Sequence, residues 1–102
     1  TFAEQRTLTV MEGGREVPYI NELEYICGEI WANVYGLDEI FIIDPVSGQV
    51  AGRVDCRGLL DAEYRTRAVD VLNGIAWNPA DSTLYLTGKY WPRMYKVTIR
   101  PR

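Results

Sequence analysis

Histidine is absent from all 102 residues. That removes imidazole acid–base catalysis and the commonest zinc ligand. Cysteine is scarce: Cys27 and Cys56 could form one bridge, though no sequence argument brings them together, and alone they cannot fill a tetrahedral metal site. There is no excess of positive charge. Eleven Lys and Arg against 14 Asp and Glu leave a net charge of -3, so a nucleic-acid partner is not expected. Lys89, Arg93, Lys96, Arg100 and Arg102 collect late in the chain and read as a solvated face. No apolar run approaches the roughly 20 residues that span a bilayer, so no membrane partner is expected. Thr1–Val10 lack the basic-then-apolar layout of a signal peptide, and the chain reads as mature and soluble. Gly88-Lys89 lacks the flanking glycines of a phosphate-binding loop, which argues against a nucleotide.

What is present is strand pattern. Ile30, Ala32 and Val34 alternate with Trp31, Asn33 and Tyr35. Ile40-Phe41-Ile42-Ile43 is a short unbroken apolar run, the signature of a strand covered on both faces. Met94–Ile99 and the shorter Thr7–Met11 alternate as further strands. Turn chemistry separates these runs. Asp44-Pro45-Val46-Ser47-Gly48 predicts a hairpin into Gln49–Asp55, and Asn78–Ser82 does the same between Gly74–Trp77 and Thr83–Thr87. Cys27-Gly28 predicts a tighter turn, and Gly13-Gly14 ends the first strand. Leu59–Val71 is the exception, with Leu60, Tyr64 and Ala68 at helical spacing, and is expected to be a short helical excursion.

The strands repeat. Ile20–Tyr25 aligns with Leu72–Trp77, each an apolar residue, an asparagine and a run ending in an aromatic. Ile30–Tyr35 aligns with Leu84–Lys89, and Ile40–Ile43 with Met94–Val97. Asn21 and Asn73 lie 52 residues apart; without the excursion the unit is about 40 residues, the size of one four-stranded propeller blade. The expected architecture is therefore all-β, about two blades of a β-propeller. Residues 1–18 are the outer end of one blade, 19–58 a complete blade, 59–70 the helical insertion and 71–102 strands of the next. Two blades leave two apolar faces uncovered, so the chain is expected to be a fragment or to assemble with other copies.

Three strings carry a family resemblance: Asn21–Tyr25 followed by Gly28–Val34, then Val71–Ala76, then Thr87–Pro92. In order and spacing they resemble the signature of the propeller-type glutaminyl cyclases of plants and bacteria. The resemblance implies a five-bladed propeller with its active site at one mouth of the central channel. It implies a glutaminyl-peptide cyclotransferase acting on peptides with an N-terminal glutamine, more slowly on glutamate, and releasing ammonia. It implies no catalytic zinc, no cofactor, a secreted or periplasmic setting, and remaining blades supplied by the same protein or other copies. Carried over by position, the substrate-contacting asparagine falls on Asn21 and the active-site lysine on Lys89. The aromatic wall falls on Tyr35, where the family usually has tryptophan. The family's catalytic glutamate falls ahead of Thr1.

The chemistry fits those residue types. Intramolecular attack by the α-amine on the side-chain amide needs positioning, a carboxylate for proton transfer, and a cation or amide donor for the oxyanion. Lys89 and Asn21 suit the last role, and Tyr35 suits packing against the glutamine. Plainer readings stand beside these. Asn21 and Asn73 could each bond local backbone in turns. Trp31, Trp77 and Trp91 read as packing, Asp44 as a turn former, and Glu22 with Glu24 as solvated carboxylates or arginine partners rather than a catalytic pair. The alternative function is a non-catalytic propeller fragment or interaction module that lacks the catalytic glutamate.

Overall fold

The computed structural model describes residues 7–60, 72–91 and 93–99. Among them every regular element is a strand. β1 (Met11–Glu12) pairs antiparallel with β2 (Arg15–Glu16). β3 (Ile20–Ile26), β4 (Glu29–Val34), β5 (Glu39–Ile43) and β6 (Val50–Asp55) form a four-stranded antiparallel meander. β7 (Leu72–Asn78), β8 (Thr83–Gly88) and β9 (Tyr95–Val97) form a second, three-stranded one. The expected helical excursion falls almost wholly on 61–71, outside the described residues.

The turns form where their chemistry demands. Cys27 (φ 49°) and Gly28 (φ 86°) are both left-handed, which makes a two-residue hairpin turn matched to strand twist. Asp44 Oδ1 accepts the backbone N–H groups of Val46 and Ser47 at 2.7 and 3.3 Å, closing the β5–β6 loop. The strand expected over Thr7–Met11 is shorter, because regular pairing begins only at Met11. Ahead of it the chain lies against the β5–β6 turn: the Thr9 carbonyl sits where a side chain on Gly48 would be, and Met11 N–H donates to Gly48 O at 2.9 Å.

Two apolar clusters sandwich the four-stranded sheet. One face gives Ala32, Val34, Phe41 and Ile43, packed with Val10, Val17 and Ile20. The other gives Ile26 and Ile40, which meet Leu72, Leu84 and Leu86 of the second sheet. Ile40 enters one cluster and Phe41 and Ile43 the other, which is why hydrophobicity runs on across both faces of this strand. Each fully buried Leu or Ile contributes about 1.5–3 kcal/mol, and Trp31, Trp77 and Trp91 pack against the inter-sheet cluster. Arg53 lies 4.4 Å over the Phe41 ring and pairs with Glu12 and Glu39, tying the β1–β2 hairpin to the sheet. Hydrogen bonding to the Glu12 carboxylate, more than any other interaction, holds the Arg53 pKa above its ordinary value. Among the described residues no helix is long and apolar enough to cross a membrane.

Candidate active site

The sheets meet along β3 and β7, the first strand of each. Asn21 Nδ2 donates to Asn73 Oδ1 at 3.1 Å, and farther along Glu24 Oε2 accepts the Trp77 N–H at 3.1 Å. The contacts advance together on both strands, so β3 and β7 run side by side in the same direction. The same irregularity marks both heads. Ile20 pairs with Val34 and Leu23 with Ala32, while Leu72 pairs with Gly88 and Ile75 with Leu86. In each sheet two residues oppose one, a β-bulge. The bulged pairs are Asn21-Glu22 and Asn73-Gly74. Bulging brings the two asparagines to matching places, where they bond to each other rather than to local backbone turns.

The opposing residues are Asn33 and Thr87. Asn33 is fully buried, and its Oδ1 accepts the Gly74 N–H at 2.9 Å, while its Nδ2 has no hydrogen-bond partner among the described residues. An amide held at that cost fixes the backbone beside Asn73.

Tyr35 and Lys89 follow directly on the bulged ends. Val34-Tyr35-Gly36-Leu37 closes with Leu37 N–H on Val34 O at 3.0 Å, and Gly88-Lys89-Tyr90-Trp91 closes with Trp91 N–H on Gly88 O at 3.1 Å. Both third residues are left-handed, Gly36 at φ 90° and Tyr90 at φ 62°, as a type II turn requires. Tyr35 and Lys89 are thus the second residues of equivalent turns, at the end of the sheets that carries Asn21 and Asn73. Tyr35 is 47% exposed, and Lys89 is exposed with Nζ 5.6 Å from the Tyr90 ring centroid. Among the described residues no ion pair or hydrogen bond joins Lys89 to Asn21 or Tyr35.

Residues 1–99 match the glutamine cyclotransferase family. The chain belongs to it. A glutaminyl-peptide cyclotransferase of Arabidopsis thaliana is 45% identical over 95 residues, covering 89% of this chain and 29% of that protein. The crystal structure of Myxococcus xanthus glutaminyl cyclase superposes with a TM-score of 0.80 at 35% identity, over 89% of this chain and 40% of that one. The chain therefore spans well under half of either relative, and shares with the bacterial enzyme an all-β, propeller-like arrangement of sheets.

Of two hollows among the described residues, the larger is not where the convergent side chains are. A cleft of about 770 Å³ between β6 and the end of β9 is lined by Arg53, Cys56, Leu86 and Ile99, and by none of Asn21, Tyr35 or Lys89. Tyr35 instead lines a groove of about 380 Å³ with Tyr19, Leu37 and Phe41. The convergent polar side chains, by contrast, stand at the bulged ends. Sequence reading singled out neither Asn33 nor Asn73 for this end of the sheets. Asn33 was legible only as one face of an alternating strand, and Asn73 only as the repeat mate of Asn21. For Asn73 the signal was its 52-residue spacing from Asn21, which puts two amides at one register position; Asn33 had no such signal.

Proposed function

We propose that this chain forms part of a glutaminyl-peptide cyclotransferase, which converts the N-terminal glutamine of peptides to pyroglutamate. The whole protein on this reading is a five-bladed propeller. Residues 1–18 form the outer end of one blade, 19–58 a blade and 71–102 strands of the next, with a secreted or periplasmic location. The observation that carries the reading is the matched pair of bulged asparagines beside two equivalent turns that offer Tyr35 and Lys89 at the same end.

The α-amine nitrogen attacks the δ-carbon of the glutamine side chain. A C–N bond forms to close the five-membered ring, and the C–N bond to the amide nitrogen breaks. The amine gives up a proton, the leaving nitrogen takes one, and ammonia departs. A carboxylate from a segment ahead of Thr1 moves that proton. The δ-oxygen carries negative charge in the tetrahedral intermediate, and the Lys89 ammonium and the Asn21 amide stabilise it. Tyr35 packs against the methylene groups of the substrate and holds the amine near the δ-carbon. None of these roles needs an imidazole or a metal-bound hydroxide.

The test is ammonia release from a glutaminyl peptide by the full-length protein. Lys89→Ala is expected to lower kcat/KM about 10²-fold with an unchanged melting temperature. A wild-type protein that releases no ammonia and leaves the peptide mass unaltered overturns the assignment.

A further inference from the structure

Asn73 heads β7 as Asn21 heads β3, on the same bulge. A primary amide carries one acceptor oxygen and two N–H donors. The bond from Asn21 Nδ2 to Asn73 Oδ1 uses one N–H of Asn21 and leaves its second N–H and both N–H groups of Asn73 as donors. Among the described residues neither the Asn73 Nδ2 nor the Asn21 Oδ1 makes another hydrogen bond. The linked pair thus presents N–H donors on both members and a free acceptor on Asn21. That pattern is complementary to a third primary amide, whose oxygen needs a donor and whose NH₂ needs an acceptor.

The backbone beneath Asn73 is fixed. Gly74 N–H is held by the buried Asn33 Oδ1, and a side chain at Gly74 would meet Thr87 Cγ2 at 2.7 Å. An amide on so constrained a support is preorganised, and a preorganised donor stabilises charge without reorganising during reaction.

We propose that Asn73 is a further substrate-contacting residue of the reaction. Its Nδ2 donates to the δ-oxygen of the substrate glutamine, while Asn21 Oδ1 accepts from the δ-NH₂. The inference rests on the cyclotransferase reading and adds a donor to it. Because charge develops on the δ-oxygen only as the amine attacks, the contact strengthens in the transition state and acts on kcat more than on KM. The acceptor on Asn21 also gives the pair a preference for glutamine over glutamate, since a carboxylate has no N–H to offer it.

Asn73→Asp separates donation from mere support. The aspartate oxygen still accepts the Asn21 N–H, so the link between β3 and β7 is kept, but the donor is gone. In the full-length enzyme this variant is expected to lose about 10²-fold in kcat, with KM within about threefold and the melting temperature within about 2 °C. Asn73→Ser, which restores a hydroxyl donor, is expected to exceed Asn73→Ala in kcat by about tenfold. Should Asn73→Asp fail to fold, that Ser–Ala comparison decides alone. A kcat for Asn73→Asp within about twofold of wild type, a loss carried by KM only, or equal Ser and Ala variants overturns the role of Asn73. An inactive wild-type enzyme overturns the cyclotransferase reading instead, and this role with it.

Discussion

Lys89 and Tyr35 show how a residue's use depends on the turn beneath it. Neither is strained itself; the left-handed angle falls on the next residue, Gly36 in one turn and Tyr90 in the other. A tyrosine there costs about 1–2 kcal/mol relative to glycine. The two cysteines make a sharper contrast. Both are free thiols, Cys27 exposed in a turn and Cys56 buried against the inter-sheet cluster. Burial first, then the charges of Asp55, Asp38 and Glu39, push the Cys56 thiol up to about 12. At pH 8 its thiolate fraction is on the order of 10⁻⁴, so iodoacetamide is expected to label Cys27 and spare Cys56, as read by peptide mass spectrometry. The folded-state pKa is raised, so the thiol's contribution is complete below the unfolded value near 8.5. It is lost as pH climbs from there towards 12, and stability should fall across that alkaline window.

Among the elements, the turn carrying Lys89 is held at both ends. Thr87 Oγ1 donates to the Arg93 carbonyl at 2.9 Å, and the Trp91 indole lies against Gly88 where a side chain would stand. Gly88→Ala is expected to displace that ring and cost about 1–3 kcal/mol, measured by urea unfolding. It should lower activity in step with the movement of the Lys89 turn. This level was largely readable beforehand. The Asp44 and Cys27-Gly28 turns, the face alternation of Ile30–Tyr35 and the alignment of Ile40–Ile43 with Met94–Val97 all follow from local patterns, and pairing of β4 with β5 and of β8 with β9 respects them. The bulges were not legible, because an extra residue in one strand leaves no local mark on hydrophobic alternation. Glu24 was likewise read as a solvated carboxylate or arginine partner, whereas it accepts the Trp77 N–H from the other sheet, a contact set by packing rather than by its own neighbours.

For the molecule as a whole, Arg53 adds a polar tie between the β1–β2 hairpin and the sheet. Its contacts with Glu12 and Glu39 are partly exposed, with the arginine side chain 44% accessible. Arg53→Met keeps the apolar stem over Phe41 and removes the charge. The expected loss is at most about 1 kcal/mol, shrinking as salt rises, as thermal unfolding at low and high ionic strength can establish. A second prediction belongs to the proposed reaction of the full-length protein. Because the proposed mechanism rests on an ammonium, an amide and a carboxylate, a zinc chelator is expected to leave turnover within about twofold of the untreated rate. Inhibition that added zinc reverses would contradict it. Sequence carried this scale only through the repeat: the period showed that sheets recur, while the direct bond between Asn21 and Asn73 needed the sheets to be packed.

The paired turns also bear on how the site can change. Each repeat ends in one outward residue, a phenol in the first and an ammonium in the second, on backbones that otherwise match. The identity of that residue is therefore nearly independent of folding, because neither strand pairing nor the clusters consult it. Two matching sheets thus offer two equivalent perches at the same end, and a change of side chain at either leaves the architecture intact. Exchange of Tyr35 for tryptophan is such a move: a change of vocabulary within a fixed grammar.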